Sequence, residues 1–323
     1  MRAMVCTRYG PPEVLELQEL DKPVPKTGEI LIKVHASTVT AGDCEMRSFK
    51  FPVLLWIPLR LYLGVRKPRM KVLGQEFAGE VESAGSEQTL FVEGDRVFGS
   101  TELKLGAYAD YLCLPADYAL TRMADGVSFE EAAAIPTGGM NALFFLRKAR
   151  IRAGQKVLII GAGGSIGTLA VQLARNSGAE VTAVDSGEKL DMLLTIGADK
   201  VIDYRKEDFT VTGETYDVIF DVAGKSPFSK TVNAIKPKGV YLMGNPNISQ
   251  MFRRLIHTKK GSRKIIAGAA SYNAEDLRYL DGLLADGKIR PVIDRIFPLE
   301  ELSDAHRYVE SGVKKGNVII SNQ

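Results

Sequence analysis

Apolar positions along this chain follow two rhythms. Before Asp117, short runs such as Ile30 to His35, Phe77 to Ser83, Arg96 to Phe98 and Tyr108 to Leu114 are punctuated by Gly and Pro. That texture predicts strands joined by tight turns, as in an all-β barrel. Beyond Asp117 the spacing lengthens. Phe129 to Ala134 and Asn141 to Ala149 predict helices, and from Lys156 strand-like and helix-like segments alternate. Strands are expected to start near residues 157, 181, 200, 217, 239 and 264, which makes six, the number in a doubly wound parallel sheet. Glu275 to Ala285 predicts a helix, and the tail offers strand, helix and strand over Ile293 to Phe297, Leu302 to Ser311 and Asn317 to Ile320. With no further place needed in the sheet, the tail is expected to return to the β-rich part.

Val157 to Asp185 is the most informative stretch. An apolar run to Ile160 is followed by a glycine-rich turn, a helical pattern through Leu169, Val171, Leu173 and Ala174, and a second apolar run, Val181 to Val184, ending at Asp185. This βαβ unit has the mechanics of a dinucleotide site. Gly164 and Gly167 would let backbone approach a pyrophosphate and let the helix pack tightly, and the helix N-terminus would face that anion with roughly half a positive charge. The turn reads Ala162, Gly163, Gly164, Ser165, Ile166, Gly167, so Ala162 stands at the first glycine position of the usual G-x-G-x-x-G, between Gly161 and Gly163.

Composition narrows the class. The chain has 323 residues, 45% apolar and 25% charged, which suits a soluble globular protein of two domains. A net charge of +3 offers no electrostatic grip on nucleic acid. The basic run Arg253, Arg254, Lys259, Lys260, Arg263 and Lys264 reads as a solvated surface. Cys6, Cys44 and Cys113 lack paired spacing, so they suggest neither a disulfide framework nor a zinc cluster, and they fit a reducing compartment. The first residues carry no signal-peptide core, which makes a cytoplasmic location the expectation. Phe51 to Val65 is rich in apolar residues but broken by Pro52, Pro58 and Arg60, and is too short for a bilayer span. It is expected to pack against the barrel or a partner subunit, with a substrate mouth and a membrane surface as alternatives.

Several segments in order along the whole chain resemble the medium-chain dehydrogenase/reductase superfamily, in its zinc-independent quinone oxidoreductase (zeta-crystallin-like) branch. They are Tyr9 to Leu17, Leu73 to Gly85, Gly94 to Gly99, Ala153 to Gly167, Ile196 to Tyr204 and Lys315 to Ser321. The resemblance implies a GroES-like β-barrel catalytic domain, residues 1–122 and 290–323, and a six-stranded Rossmann domain, residues 123–289. Zinc-using members hold the metal through a Cys three residues before an Asp, a Gly-His-Glu and a later Cys. Here Thr40 precedes Asp43, the second motif is Gly74, Gln75, Glu76, and Ile135 to Gly139 holds no Cys. Gly94 to Tyr108 also lacks the cysteines of the structural zinc lobe. Thr and Gln cannot supply the soft or nitrogen ligands zinc needs, so neither a catalytic nor a structural zinc is expected.

What remains is hydride delivery from NAD(P)H to an electron-poor acceptor, a quinone or an α,β-unsaturated carbonyl. The alternatives are an enoyl-thioester reductase and a nucleotide-binding protein of low turnover acting as redox sensor or structural partner. The resemblance places Thr40, Asp43 and Thr137 along the nicotinamide cleft, makes Gln75 a candidate hydrogen-bond partner of a substrate carbonyl, and brings Val222, Gly244 and Asn317 to the cofactor. Asp185 lies 18 residues beyond Gly167 and would favour NAD by binding the ribose hydroxyls. Against a 2′-phosphate it would repel by roughly 1–4 kcal/mol per charge pair. Lys189 and Tyr204 match positions that hold the 2′-phosphate in NADPH-using relatives, and Ser186 adds a hydroxyl. The weight falls on NADP(H), with NAD(H) open. A homodimer joined at the strand Lys264 to Gly268 is expected, as in related enzymes.

Overall fold

The computed structural model describes residues 1–51, 56–85, 90–258 and 263–322. The first elements are β1 (Arg2–Cys6), β2 (Leu15–Glu19), β3 (Glu29–Thr38), α1 (Ala41–Ser48) and α2 (Trp56–Leu63). They are followed by β4 (Glu76–Ala84), β5 (Arg96–Ser100), β6 (Tyr111–Pro115), β7 (Leu120–Arg122), α3 (Phe129–Ala133) and α4 (Pro136–Ala149). Alternation then sets in with β8 (Lys156–Ile160), α5 (Ser165–Asn176), β9 (Glu180–Asp185), α6 (Leu190–Thr195), β10 (Lys200–Asp203) and β11 (Tyr216–Asp221). It continues through α7 (Phe228–Asn233), β12 (Ile235–Met243), α8 (Ile248–Thr258), β13 (Lys264–Ala267) and α9 (Ala274–Ala285). The chain closes with β14 (Ile293–Pro298), α10 (Leu302–Glu310) and β15 (Asn317–Ser321). No helix among the described residues is long and apolar enough to cross a membrane.

The chain divides into two compact units, Met1–Pro136 with Tyr272–Ala285 and Ile293–Gln323, and Thr137–Ser271 with Asp286–Val292. In the second unit the six expected strands form one sheet in the order β10-β9-β8-β11-β12-β13, every neighbouring pair parallel. Helices cover both faces of such a sheet, so its strands read as unbroken apolar runs. Val157, Leu158, Ile159, Val181, Ala183, Ile219 and Phe220 are accordingly sealed from solvent. Strand β12 begins at Ile235 rather than near 239. Its entry is irregular, with Lys238 at φ 64° and a register shift opposite Tyr216 and Val218, and charged residues there masked the strand pattern. Winding runs from β8 outward to β10, then resumes at β11 on the other side of β8. The reversal between β8 and β11 is the switch point at which such sheets bind ligands.

In the first unit the sheet runs β14-β15-β3-β4-β5-β7, with β6 also paired to β3. The tail returns here, β15 lying antiparallel to β3. Helix α9 belongs to this unit too, where Asp281 Oδ1 accepts from the Ala124 amide at 3.2 Å. Leu63, the one buried side chain of α2, packs this apolar segment onto the first unit and the Trp56 ring meets that of Phe49 edge-on, while Trp56, Ile57, Leu61 and Tyr62 all remain exposed. Residues 52–55 of that segment lie outside the described residues.

Helices α1 and α10 meet over a buried polar cluster. Arg47, fully buried, donates to the Gly10 carbonyl, pairs with Glu310 and points Nε at His306 Nδ1, 3.3 Å away. Burial, helped by the Arg47 charge, pushes the His306 imidazole down to about 3, so it stays neutral. Cys44 Sγ lies 3.3 Å from the same nitrogen, and burial pushes its thiol up to about 12. All three cysteines are free.

Two buried groups in this unit give opposite pH dependences. His306 is depressed from its unfolded value of about 6.5, so the stability it contributes is lost as pH falls from there toward 3. Asp43, fully buried, is raised to about 6, so its contribution is lost as pH rises from about 4 through 6. Each is worth up to about 1.4 kcal/mol per pH unit, and between pH 4 and 6 they offset. Asp43→Asn removes one of them. Urea unfolding at pH 6 and pH 4 should show the variant losing about 1–3 kcal/mol more than the parent on acidification.

Candidate functional site

The glycine turn lies at the switch point. Gly161 follows β8 with φ 77°, the left-handed region that glycine tolerates, whereas Ala162 keeps an ordinary backbone. Gly161 and Ala162 both donate to the Val184 carbonyl, at 3.0 and 3.2 Å, which folds the turn back over β9. A Cβ on Gly167 would stand 2.4 Å from the Gly161 carbonyl oxygen and 2.6 Å from Ala162 backbone, so only glycine lets α5 start this close to β8. Gly164 is the N-cap of α5 and brings no side chain to the first-turn amides, while a Cβ there would meet only Gly161 O at 3.8 Å. The cradle thus has room for an anion in front of a helix start, which fits a dinucleotide pyrophosphate. Half-buried Ser165 and Ile166 form the first turn of α5.

Asp185 closes β9 beside this turn. Its Oδ2 accepts from the Gly163 amide at 2.7 Å and its Oδ1 from the Ser186 amide at 2.8 Å. Lys189 Nζ sits 3.5 Å from Oδ1, with both side chains about nine-tenths buried. The lysine stem crosses the turn so closely that a Cβ on Gly163 would fall 2.4 Å from Lys189 Cδ. Asp185, Ser186, Lys189 and Gly163 therefore form one cluster. Tyr204 joins it by backbone only, its amide donating to the Asp185 carbonyl at 3.2 Å while its ring is 59% exposed. Sequence reading missed Arg205, whose guanidinium lies 5.9 Å from the Tyr204 ring and pairs with Glu188 at 2.6 Å. The signal was there in a basic residue directly after that tyrosine.

Neighbouring loops complete the strand ends. Asp221 takes the Gly224 amide at 2.8 Å and the Tyr241 hydroxyl at 3.1 Å. The Val222 amide donates to Ile160 O at 3.0 Å and that of Gly244 to Asp221 O at 2.8 Å, which sets both residues along the rim. Thr137 precedes Gly138, where a Cβ would stand 2.9 Å from the Ser165 carbonyl oxygen, so α4 carries Thr137 to the start of α5. Asn317 is buried at the first residue of β15, in the first unit. Of the basic run, Lys259 and Lys260 lie outside the described residues, and Arg263 Nε is held by the Ile235 carbonyl at 2.7 Å.

The first unit brings Thr40, Asp43 and Gln75 together. Thr40 caps α1 in a reciprocal box: its Oγ1 accepts from the Asp43 amide at 3.1 Å, and Asp43 Oδ2 accepts from the Thr40 amide at 2.9 Å. The Thr40 hydroxyl proton goes to the same Oδ2 at 2.6 Å rather than to Gln75 Oε1 at 3.4 Å. Burial is what pushes the Asp43 carboxyl up to about 6, against the lowering effect of these Thr40 hydrogen bonds, and its Oδ1 has no hydrogen-bond partner. Gln75 is held at its backbone, whose carbonyl accepts from the Thr101 amide at 2.9 Å, and a Cβ on Gly42 would stand 2.9 Å from its Oε1. Among the described residues no group of three or more His, Cys, Asp or Glu could hold a metal ion.

Comparison with known proteins agrees with this architecture. A family model described as alcohol dehydrogenase GroES-like domain matches residues 26–125, and one described as zinc-binding dehydrogenase matches 196–320. The quinone oxidoreductase of Sus scrofa is 32% identical over 325 residues, covering 95% of this chain and 93% of its own. The chloroplastic NADPH-dependent alkenal/one oxidoreductase of Arabidopsis thaliana is 29% identical, covering 99% and 79%. The solved quinone oxidoreductase from Coxiella burnetii superposes with a TM-score of 0.89 at 30% identity, covering 100% and 99%. The chain belongs to the zinc-independent quinone-oxidoreductase-like branch of the medium-chain dehydrogenase/reductase superfamily. It is an NAD(P)H-dependent oxidoreductase of that type, with a GroES-like and a Rossmann-like part.

Two glycine variants should separate fold from ligand binding in this enzyme. Gly167→Ala should cost about 1–3 kcal/mol in thermal or urea unfolding, because backbone must shift to admit the methyl group. Gly164→Ala should leave stability within about 0.5 kcal/mol yet weaken pyridine-nucleotide binding at least tenfold by calorimetry.

Proposed function

We propose that this enzyme reduces a quinone or the β-carbon of an α,β-unsaturated carbonyl, with NADPH preferred over NADH. When bound, the reduced nicotinamide supplies the hydride. The observation that carries the cofactor reading is the Asp185 cluster. In a site that selects NAD through this acid, the carboxylate faces the ribose as an unpaired charge. Here two amides and Lys189 already occupy it, so its repulsion of a 2′-phosphate is largely offset. Lys189, the Ser186 hydroxyl and, from the next loop, Arg205 then provide the cationic and donor groups such an anion needs.

The acceptor class is supported by the named relatives and by the donor chemistry of the first unit. Thr40 and Gln75 offer oxygen and amide groups, with no imidazole or thiolate to hold a Lewis acid. Thr40 has spent its proton on Asp43, which leaves it a positioning residue for the start of α1. The Gln75 carboxamide is the group we assign to donate to the substrate carbonyl, where charge builds as hydride arrives. The edge strand β13, paired among the described residues with β12 alone, is the surface we propose for a homodimer.

Steady-state oxidation of NADPH and NADH with naphthoquinones and simple enals tests this reading. NADPH should be favoured in kcat/KM, and a preference for NADH above tenfold would overturn the cofactor assignment. Lys189→Ala should lower kcat/KM for NADPH about 10- to 100-fold, and that for NADH far less, as expected for a lost charge-assisted contact of about 1.5–3 kcal/mol. Gln75→Leu should lower kcat/KM for enals about tenfold without changing nucleotide affinity; an unchanged rate would remove Gln75 from the chemistry.

A further inference from the structure

Helix α2 and the turn after it expose large apolar side chains in a stretch of chain rich in basic residues. Trp56, Ile57, Leu61 and Tyr62 are 47, 76, 61 and 50% exposed, and Val65 just beyond is 61% exposed. The helix is moored by Leu63 and by Arg60, whose guanidinium covers the Phe49 ring at 3.8 Å and donates to the Val65 carbonyl at 2.7 Å. Leu63 also lines a small apolar depression together with Tyr9, Met46, Met70 and Leu73. From Met46 to Gln75 the chain holds seven basic residues and no acidic one. Lys50, Arg66, Lys67, Arg69 and Lys71 are exposed, and none of them forms an ion pair among the described residues.

Exposed large apolar side chains accompanied in the same stretch of chain by exposed, unpaired Lys and Arg match the interfacial region of an anionic bilayer, where apolar groups sink to the acyl boundary and Lys and Arg stay among headgroup phosphates. Eight residues of α2 are far too short to span, so the helix would lie in the interface plane. A protein partner would need acidic groups arranged to match, whereas an anionic lipid surface accepts any arrangement of cations. Trp and Tyr are also the aromatic residues that favour the headgroup level. We propose that residues 56–71 form a docking surface for anionic phospholipid membranes. The proposal stands apart from hydride transfer and does not depend on it.

Trp56 is the only tryptophan in the chain, so intrinsic emission reports this helix alone. The full-length protein should be titrated with phosphatidylcholine vesicles with and without 30% phosphatidylserine. With phosphatidylserine, Trp56 emission should shift to the blue and be quenched by brominated lipid, and co-sedimentation should be at least tenfold stronger than on neutral vesicles. In 1 M salt binding should fall at least fivefold. Ile57→Ser with Leu61→Ser changes two exposed side chains and should abolish the blue shift, and Arg66→Glu with Lys67→Glu should weaken binding at least tenfold, with thermal unfolding unchanged in both. Absence of a shift on anionic vesicles would overturn the proposal. So would equal binding to both vesicle types, or a concentration-dependent shift without vesicles, which would assign this surface to a second copy of the chain.

Discussion

A buried carboxylate at the end of β9 governs the ligand-binding end of the nucleotide unit. An ionised group taken out of water is tolerated only if partners replace the lost hydration. Asp185 finds three: the amide of Gly163 in the glycine turn, the amide of Ser186 that follows it, and the ammonium of Lys189 one turn on. The turn after β8 and the loop after β9 are thereby tied to the same two oxygens. Neighbouring strand ends repeat the device, since Asp203 takes the Arg205 amide and Asp221 takes that of Gly224. Loops that would otherwise sample many conformations are set by charge-assisted hydrogen bonds, so the chain itself fixes the rim at these strand ends.

The first unit handles buried ionisable groups differently. His306 stays uncharged beside Arg47, and Asp43 is raised close to neutrality while accepting from Thr40. Both side chains are buried, His306 among Arg47, Cys44 and Tyr108, and Asp43 at the start of α1. Their effect is mechanical. Arg47 ties α1 to α10 through His306 and Glu310, and the Thr40–Asp43 box fixes where α1 begins. Gln75 stands over that beginning, its backbone held by Thr101, with Gly42 leaving room for its amide. Of the three polar side chains gathered here, that of Gln75 is the one the structure leaves least committed.

Much of this was legible in the sequence, for physical reasons. Strands of a parallel sheet are buried on both faces, so all six announced themselves as short apolar runs; only the start of β12 was placed late, because Lys236, Pro237 and Lys238 interrupt its beginning. The glycine turn was legible because sterics allow few residues at its tight points. What Asp185 does was not, since the same acid can face a ribose or a neighbouring amide, and only the path of Gly163 decides. Apolar composition of Phe51 to Val65 could not say which side chains are covered, and α2 turns out to cover one. Arg47 and His306 are 259 positions apart, beyond any local pattern.

The alanine in the glycine turn is best understood through the unfolded chain. Since Gly161 alone takes the left-handed geometry and position 162 needs no such freedom, a methyl group there costs nothing in the native state. It does restrict the disordered ensemble, a gain of about 0.4–1 kcal/mol relative to glycine. What looks like an eroded fingerprint is a stiffer version of it, and a pattern search keyed to three glycines would pass over a loop that is better prepared for its ligand.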